Sequence, residues 1–397
     1  MTARSTLAQD ALGRSPASYV PGSAQKICQL TGELDRQLNA PTLNHTQTRY
    51  GLIGTDLGAS FEHGGRLYFL FGDSPRAPRA GQPSLGPRRK GAGLGNDSIG
   101  FSTDRDPSDC LSLDFLVDPA GQFLSPTVAD ISLMDFEVPV GGFSDGTAMY
   151  VFFATDRGAD QKDTGRLVLA RSPDGGQSFE SLGTVSNGTF LHVSPWTVPT
   201  TELAGLPADA GPGVLVWGSG TYRKSSPRLM FLPLTDLRER YDARYFSGLD
   251  AQGGPRWSGT ESEAAELFDH PCVGELSVTH LPTFGQWLML YQCAEPRGIN
   301  FRTAPAPWGP WSPPAVLFHP RRDNGYCHFM HASWQAERCD ELHGPGRENV
   351  WGGEYAPYVI APLTIGDERT VTIYFLMSTW NPYQVMLMQA QLTREPK

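Results

Sequence analysis

Two aspartates near the start of the chain have the type and spacing to carry out a reaction between them. Asp56 and Asp73 flank an aromatic and leucine-rich stretch broken at Gly64-Gly65, a dipeptide suited to a two-residue primed hairpin turn. With that turn, Asp56 faces Asp73, Leu57 faces Gly72, Gly58 faces Phe71 and Ser60 faces Phe69. Side chains opposed in an antiparallel pair have Cβ atoms about 4.5 to 5.5 Å apart, and like charges placed there destabilise the sheet. Two close carboxyls cannot ionise independently, so one keeps its proton beside an anionic partner. Glycoside hydrolysis uses that division: one carboxyl protonates the leaving oxygen while the other attacks the anomeric carbon or activates water. The competing reading is a structural pair that caps loops or binds calcium, although calcium prefers more oxygen ligands than two. The pair titrates as a unit, so the residues do not say which aspartate is the acid.

Other candidates follow by analogy between segments. The positions corresponding to Asp56 fall near Asp145 (GFSDG), Glu275 (GELS) and Tyr355 (EYAPY), with Glu275 the best third carboxyl. Sugar binding needs flat apolar faces beside planar polar groups. Trp380, Asn381 and Tyr383 form one such set, and Trp196, Trp217 and His192 another, with core packing as the alternative for the aromatics. Asn96 and Asp97, after a glycine-rich loop, are placed to reach the same cleft. His328 and His331 beside Cys327 lack a partner cluster, so no metal site is expected. The glycines of residues 91–95 follow no βαβ pattern, which argues against a nucleotide site.

The elements that must position these residues recur. Five strands end in polar turns, at Ser98–Asp104, Leu167–Asp174, Arg228–Asp236, Gly298–Pro305 and Gln384–Leu392. Each follows a hairpin with a strongly apolar arm: Arg66–Asp73, Thr147–Thr155, Gly213–Gly220, Gln286–Cys293 and Thr370–Thr379. Five units of roughly 70 residues, with no sustained helical periodicity, predict an all-β, five-bladed β-propeller rather than a β-sandwich. Residues 26–393 are expected to form this single domain behind an N-terminal arm of residues 1–25, and Lys26–Leu30 is the candidate strand for closing the ring. Ser172–Phe179 (SPDGGQSF) fits the turn pattern called the Asp box, in which the acid accepts backbone N–H bonds and glycine supplies a positive φ.

Composition agrees. The 397 residues include 44 glycines, 33 prolines and 42 aromatics, with a net charge of −10. Many turns, a large apolar core and few clustered cations result, so nucleic acid is not an expected partner. The densest basic run is Arg88-Arg89-Lys90. No run approaches the roughly 18 apolar residues of a membrane span, which predicts a soluble protein, and the first thirty residues contain no signal-like apolar core. Six cysteines permit disulfides, with Cys272–Cys293 and Cys327–Cys339 as candidate pairs beside the reading of free thiols.

Leu30–Gly32 (LTG), Tyr50–Gly58 (YGLIGTDLG), Phe71–Ser74 (FGDS), Gly274–Ser277 (GELS), Trp308–Ser312 (WGPWS) and Ser378–Val385 (STWNPYQV) resemble the marks of a family long catalogued as a domain of unknown function. Some of its members are known as endo-D-arabinanases. The resemblance spans residues 26–393. It implies a five-bladed propeller with catalytic aspartates at Asp56 and Asp73, acting on α-linked D-arabinofuranose chains of the arabinogalactan and lipoarabinomannan type. That polysaccharide substrate favours a secreted or cell-envelope location. No redox cofactor is implied, and any calcium would be structural. The alternatives are a sialidase-like or other propeller glycosidase, which as a sialidase would need three arginines and a nucleophilic tyrosine, and a non-catalytic carbohydrate-binding propeller. The segment between Ala77 and Gly95 matches none of the family's motifs and is expected at the rim of the cleft.

Overall fold

The computed structural model describes residues 15–77, 96–134, 136–156, 165–199, 203–207, 211–235, 237, 242–332 and 350–394. Five antiparallel sheets follow one another along the chain. Blade 1 is built from Asp56–His63, Arg66–Gly72, Ser98–Ser102 and Asp114–Phe115. Blade 2 contains Pro139–Ser144, Met149–Thr155, Arg166–Ser172 and Glu180–Ser186. Blade 3 has five strands, His192–Val198, Gly213–Ser219, Arg228–Pro233, Arg244–Leu249 and Pro255–Ser258. Blade 4 uses Leu276–Leu281, Gln286–Ala294, Arg297–Ala304 and Ala315–Phe318. Blade 5 has Glu354–Val359 innermost, then Thr370–Thr379 and Gln384–Thr393. The five innermost strands contact one another in order, and that of blade 5 returns to blade 1, so the sheets form a closed five-bladed propeller.

Each blade is covered on both faces by its neighbours, so its middle strands are buried along nearly their whole length, as at Met149–Thr155 and Gly213–Ser219. This explains why they read as continuous apolar runs rather than alternating ones. Near the hub there is little space. A Cβ on Gly142 would lie 2.5 Å from the Phe61 ring. Serines tie adjacent blades together: Ser194 accepts from the Val278 amide, Ser277 from the Val359 amide and donates to the Pro357 carbonyl, and Ser378 accepts from the Leu57 amide.

Gln25–Gln29 pairs antiparallel with Gln384–Thr393, so the start of the ring supplies an outer strand of its last blade. Thr31 reinforces the join, donating to Gln384 and accepting from the Val385 amide. Ser18 and Tyr19 pair with Thr393 and Leu392, so the ordered edge begins before residue 26, inside the segment expected as an arm. Cys28–Cys110 anchors the closing strand to the outer part of blade 1. Cys272–Cys293 is a disulfide as well, and Cys327 is disulfide-bonded, while Cys339 lies outside the described residues. The Asp box forms the turn between the outer strands of blade 2, with Asp174 accepting from the Ser178 amide at 3.0 Å and Phe179 edge-on to Phe153. No helix among the described residues is long and apolar enough to cross a membrane.

The first hairpin departs from its expected register. His63↔Arg66 through Ala59↔Leu70 pair as predicted, but the ladder slips at Gly58, so Leu57 faces Phe71 and Asp56 faces Gly72 rather than Asp73. Gly58 is the extra residue of a bulge, with φ 116°, and bulges re-aim the residues beside them. An alanine there would be strained by that φ and would place its Cβ 2.5 Å from Leu376 Cδ1, which is fully buried. Gly58→Ala should therefore lower stability by about 1–3 kcal/mol, read as a lower urea midpoint at unchanged slope. An unchanged midpoint would show that the bulge does not depend on glycine.

Candidate active site

The inner strands all begin at the same end of the ring, and their first residues meet there. Asp56 opens that of blade 1, Val138 precedes that of blade 2, His192 opens that of blade 3, Glu275 precedes that of blade 4, and Glu354 and Tyr355 open that of blade 5. Together with Asp73, Tyr222, Arg223 and the aromatic residues Phe136, Trp351 and Trp380, these residues line a cavity of about 330 Å³. Four carboxyls therefore share this space with one guanidinium.

Asp56 and Asp73 reach the cavity from adjacent strands, though not from opposed positions. The backbone facing Asp56 is Gly72, where a Cβ would lie 3.0 Å from Asp56 Oδ1. Asp73 follows the end of its strand and turns into the left-handed region, φ 38°. Leu57, Phe136 and Arg223 also adopt positive φ around the cavity. For non-glycine residues this costs about 1–2 kcal/mol each, and such strain is concentrated where geometry serves function. Each aspartate has its own donor. The Tyr355 hydroxyl donates to Asp56 Oδ2 at 2.9 Å, and the Phe136 amide donates to Asp73 Oδ1 at 3.2 Å. Behind them Thr55, Ser74 and Ser98 form a fully buried hydroxyl chain, with Thr55 also donating to the Gly72 carbonyl.

Asp97 stands directly behind Asp73. Its Oδ1 accepts the Asp73 amide at 3.0 Å, and its Oδ2 is buried with no partner among the described residues. Burial first, then the charge of Asp73, pushes its carboxyl well above the usual range. Burial and the nearby Asp56 likewise hold Tyr355 far above its ordinary value, keeping its proton available for donation. Tyr222 is raised by burial and by Glu275, to which its phenol is hydrogen-bonded. Glu354 is raised by burial, which its contact with Arg297 at 3.3 Å only partly offsets.

Of the residues expected at the site, Asp56, Asp73, Glu275, His192 and Trp380 line the cavity. Asp145 does not. It follows its inner strand instead of opening it, and on the opposite end of the blade it accepts from the Thr147 and Ala148 amides and the Tyr150 hydroxyl. Trp217 is wholly buried against Trp287, with its N–H donated to the Pro307 carbonyl, and Trp196 meets Trp287 edge-on, so both pack between blades 3 and 4. Asn381 is buried and bonds the Val350 carbonyl, joining two loops. Tyr383 sits one layer back, edge-on to Trp380. Asn96 accepts from Ser125 through its side chain and from the Ser74 amide through its carbonyl, acting on the Asp73 turn from behind. Residues 78–95, expected at the rim, lie outside the described residues. The thiolates of the cluster His270, Cys272 and Cys293 are consumed by the disulfide.

Glu354, Tyr222, Arg223, Phe136 and Trp351 were not expected. Glu354 had a signal, since Gly353-Glu354 repeats Gly274-Glu275 just before an inner strand. Glu137, two residues before the inner strand of blade 2, follows the same rule and is held by Ser132 and the Met134 amide.

The family model described as "Domain of unknown function (DUF4185)" matches residues 42–389. The chain belongs to that family. The DUF4185 match takes in all five inner strands and every residue lining the cavity. No curated protein matches the chain in sequence. Among solved structures it is similar to an exo-β-1,3-galactanase from Phanerochaete chrysosporium (9% identity, TM-score 0.47, covering 92% of this chain and 64% of that one). It is also similar to a family 117 glycoside hydrolase of Zobellia galactanivorans (9%, 0.46, 94% and 92%) and to a GH43_1 enzyme of Xanthomonas citri complexed with xylotriose (11%, 0.44, 98% and 93%). At these values the likenesses assign no function to this DUF4185 chain.

Asp97 gives a pH signature. Unfolded, it titrates near 3.8; folded, well above. Between the two values the folded chain holds a proton that the unfolded chain has lost, so this residue makes stability fall as pH rises through the window. Asp97→Asn keeps the acceptor for the Asp73 amide and removes the titration. Relative to the parent, the variant's unfolding free energy should climb with pH above about 4, by about 1.4 kcal/mol per pH unit within the window. Parallel stability profiles from pH 4 to 8 would show that Asp97 titrates normally.

Proposed function

We propose that this protein is a glycoside hydrolase that cleaves α-D-arabinofuranosidic linkages within D-arabinan chains, with Asp56 and Asp73 as its carboxyl pair. The observation that carries the reading is the meeting of these two buried side chains in one cavity, each held by a separate donor, from the two segments that most resemble the endo-D-arabinanases. The polymer comes from that resemblance; the chemistry comes from the site. The Tyr355 phenol at 2.9 Å favours the anionic form of Asp56, which suits it as base or nucleophile and leaves Asp73 as the acid. Phe136, Trp351 and Trp380 supply apolar faces for the sugar rings. A sialidase would need three arginines around its ligand, and among the described residues lining the cavity only Arg223 is one.

The test is incubation with mycobacterial-type arabinogalactan, an L-arabinan and a sialoside, followed by chromatography of the products. Oligosaccharides should be released from the arabinogalactan alone, and Asp56→Asn and Asp73→Asn should each lower turnover by at least about 10²–10⁴-fold. Binding without release would make the protein a carbohydrate-binding propeller. Release that survives both substitutions would remove the aspartates from the mechanism.

Tyr355→Phe tests the division of labour. Losing the phenol donor destabilises the Asp56 anion, so the acidic limb of the kcat/KM–pH profile should move up by about one unit, given about 1.5–3 kcal/mol for a charged hydrogen bond. A shift of the basic limb alone would assign Asp56 the acid role instead.

A further inference from the structure

Three charged groups in the cavity have hydrogen-bonding capacity that the aspartate chemistry does not use. Arg223 lies in the turn after the second strand of blade 3, where Gly220 donates to Ser225 and Lys224 to Thr221. Its own backbone is left-handed, φ 53°. Gly274 makes room for it, since a Cβ there would lie 3.1 Å from Arg223 Cγ. Its guanidinium makes no hydrogen bond and no ion pair to any described residue, and its Nε is buried without an acceptor. Glu275 and Glu354 are 4% and 1% exposed, and each has an oxygen, Oε2 and Oε1 respectively, with no partner among the described residues. Leaving such atoms unbonded in a finished fold is costly, and more so when they are charged. Donors and acceptors thus line one cavity without a hydrogen bond between Arg223 and either glutamate.

A ligand filling that gap must accept from a guanidinium and donate to carboxylates. A hydroxyl does both, and a pair of neighbouring hydroxyls on one ring matches the planar fork of arginine. An anionic ligand would satisfy Arg223 but would also face the carboxyls of Glu275, Glu354, Asp56 and Asp73; Glu354 has a second cation, Arg297, beside it, yet acids still outnumber cations around the cavity and disfavour the anion. Trp351 adds a fixed apolar face. Its ring covers Gly353, where a Cβ would lie 2.5 Å from it. Its N–H donates to the Tyr326 hydroxyl at 2.5 Å, and Arg297, which also contacts Glu354, stacks on it at 4.6 Å.

We propose that Arg223, Glu275 and Glu354 form a subsite that binds the vicinal hydroxyls of a neutral sugar unit, with Trp351 against its ring, and that their charge balance rejects uronate-bearing glycans. The proposal deepens the hydrolase reading but requires only that the ligand be a glycan.

Binding is measured by calorimetry in Asp73→Asn, which leaves all three groups in place, with an α-D-arabinofuranosyl hexasaccharide and with tri-galacturonate as probes. The hexasaccharide should bind and the uronate should not. Adding Arg223→Gln, or separately Glu354→Gln, should weaken hexasaccharide binding by about ten- to a hundredfold, while Arg223→Lys, which keeps charge but loses the fork, should recover only part of it. Circular dichroism and melting temperature establish that each variant is folded, and Glu354→Gln, nearly isosteric, carries the test if Arg223→Gln unfolds. Kd values within twofold of the parent in a folded Arg223→Gln or Glu354→Gln protein would overturn the subsite, as would absence of hexasaccharide binding or tighter binding of the uronate. Arg223-dependent binding of a hexasaccharide that the parent protein never cleaves would sustain the subsite and discard the hydrolase.

Discussion

Mutual repulsion among acids gathered in one partly dry space is the constraint around which the central end of this propeller is arranged. Asp56, Asp73, Glu275 and Glu354 face the same cavity, with Asp97 just behind. Each carries its own compensation: a phenol on Asp56, a backbone amide on Asp73, the Tyr222 phenol on Glu275, and Arg297 on Glu354. Burial and the charge of Asp73 push the Asp97 carboxyl well above its ordinary range. The compensation differs from acid to acid, and chemically unequal carboxyls are the raw material of acid–base chemistry.

Ring topology places these acids. A strand that begins beside the central axis puts its first side chain into the space it shares with four others, whatever its sequence; the sequence decides only what that side chain is. Here the residue opening or just preceding three of the five inner strands is acidic, while in blade 2 it is Val138 and in blade 3 a histidine. Crowding at the axis is relieved by glycine and by serine hydroxyls that bond across the seams, which leaves the wider outer blades to hold the aromatic core.

Much of this was legible in the residues. The second and third strands of all five blades stand out as apolar runs because neighbours cover both their faces, and the closing strand was found at Lys26–Leu30. Other features were hidden for physical reasons. Alternation cannot reveal a bulge, so the slip at Gly58 was missed and Asp56 was set opposite Asp73. Asp145 was misplaced because a repeat in sequence does not say which end of a strand meets the axis. Trp196 and Trp217 have the composition of a sugar platform, yet the gap between blades 3 and 4 takes them for packing. Arg223 lies in a turn whose sequence, TYRKSS, gives no hint of the left-handed residue that aims it.

The closing strand at Gln25–Gln29 has a consequence for biosynthesis. It leaves the ribosome before any blade is made, yet its partner, Gln384–Thr393, is translated last of the propeller strands. For most of translation the outer edge of the fifth sheet exists without the sheet, and the early segment must wait with its backbone groups unpaired. Cys28–Cys110 lets an oxidising compartment fasten this waiting segment to the first blade, so that the final sheet emerges beside a strand already held in place.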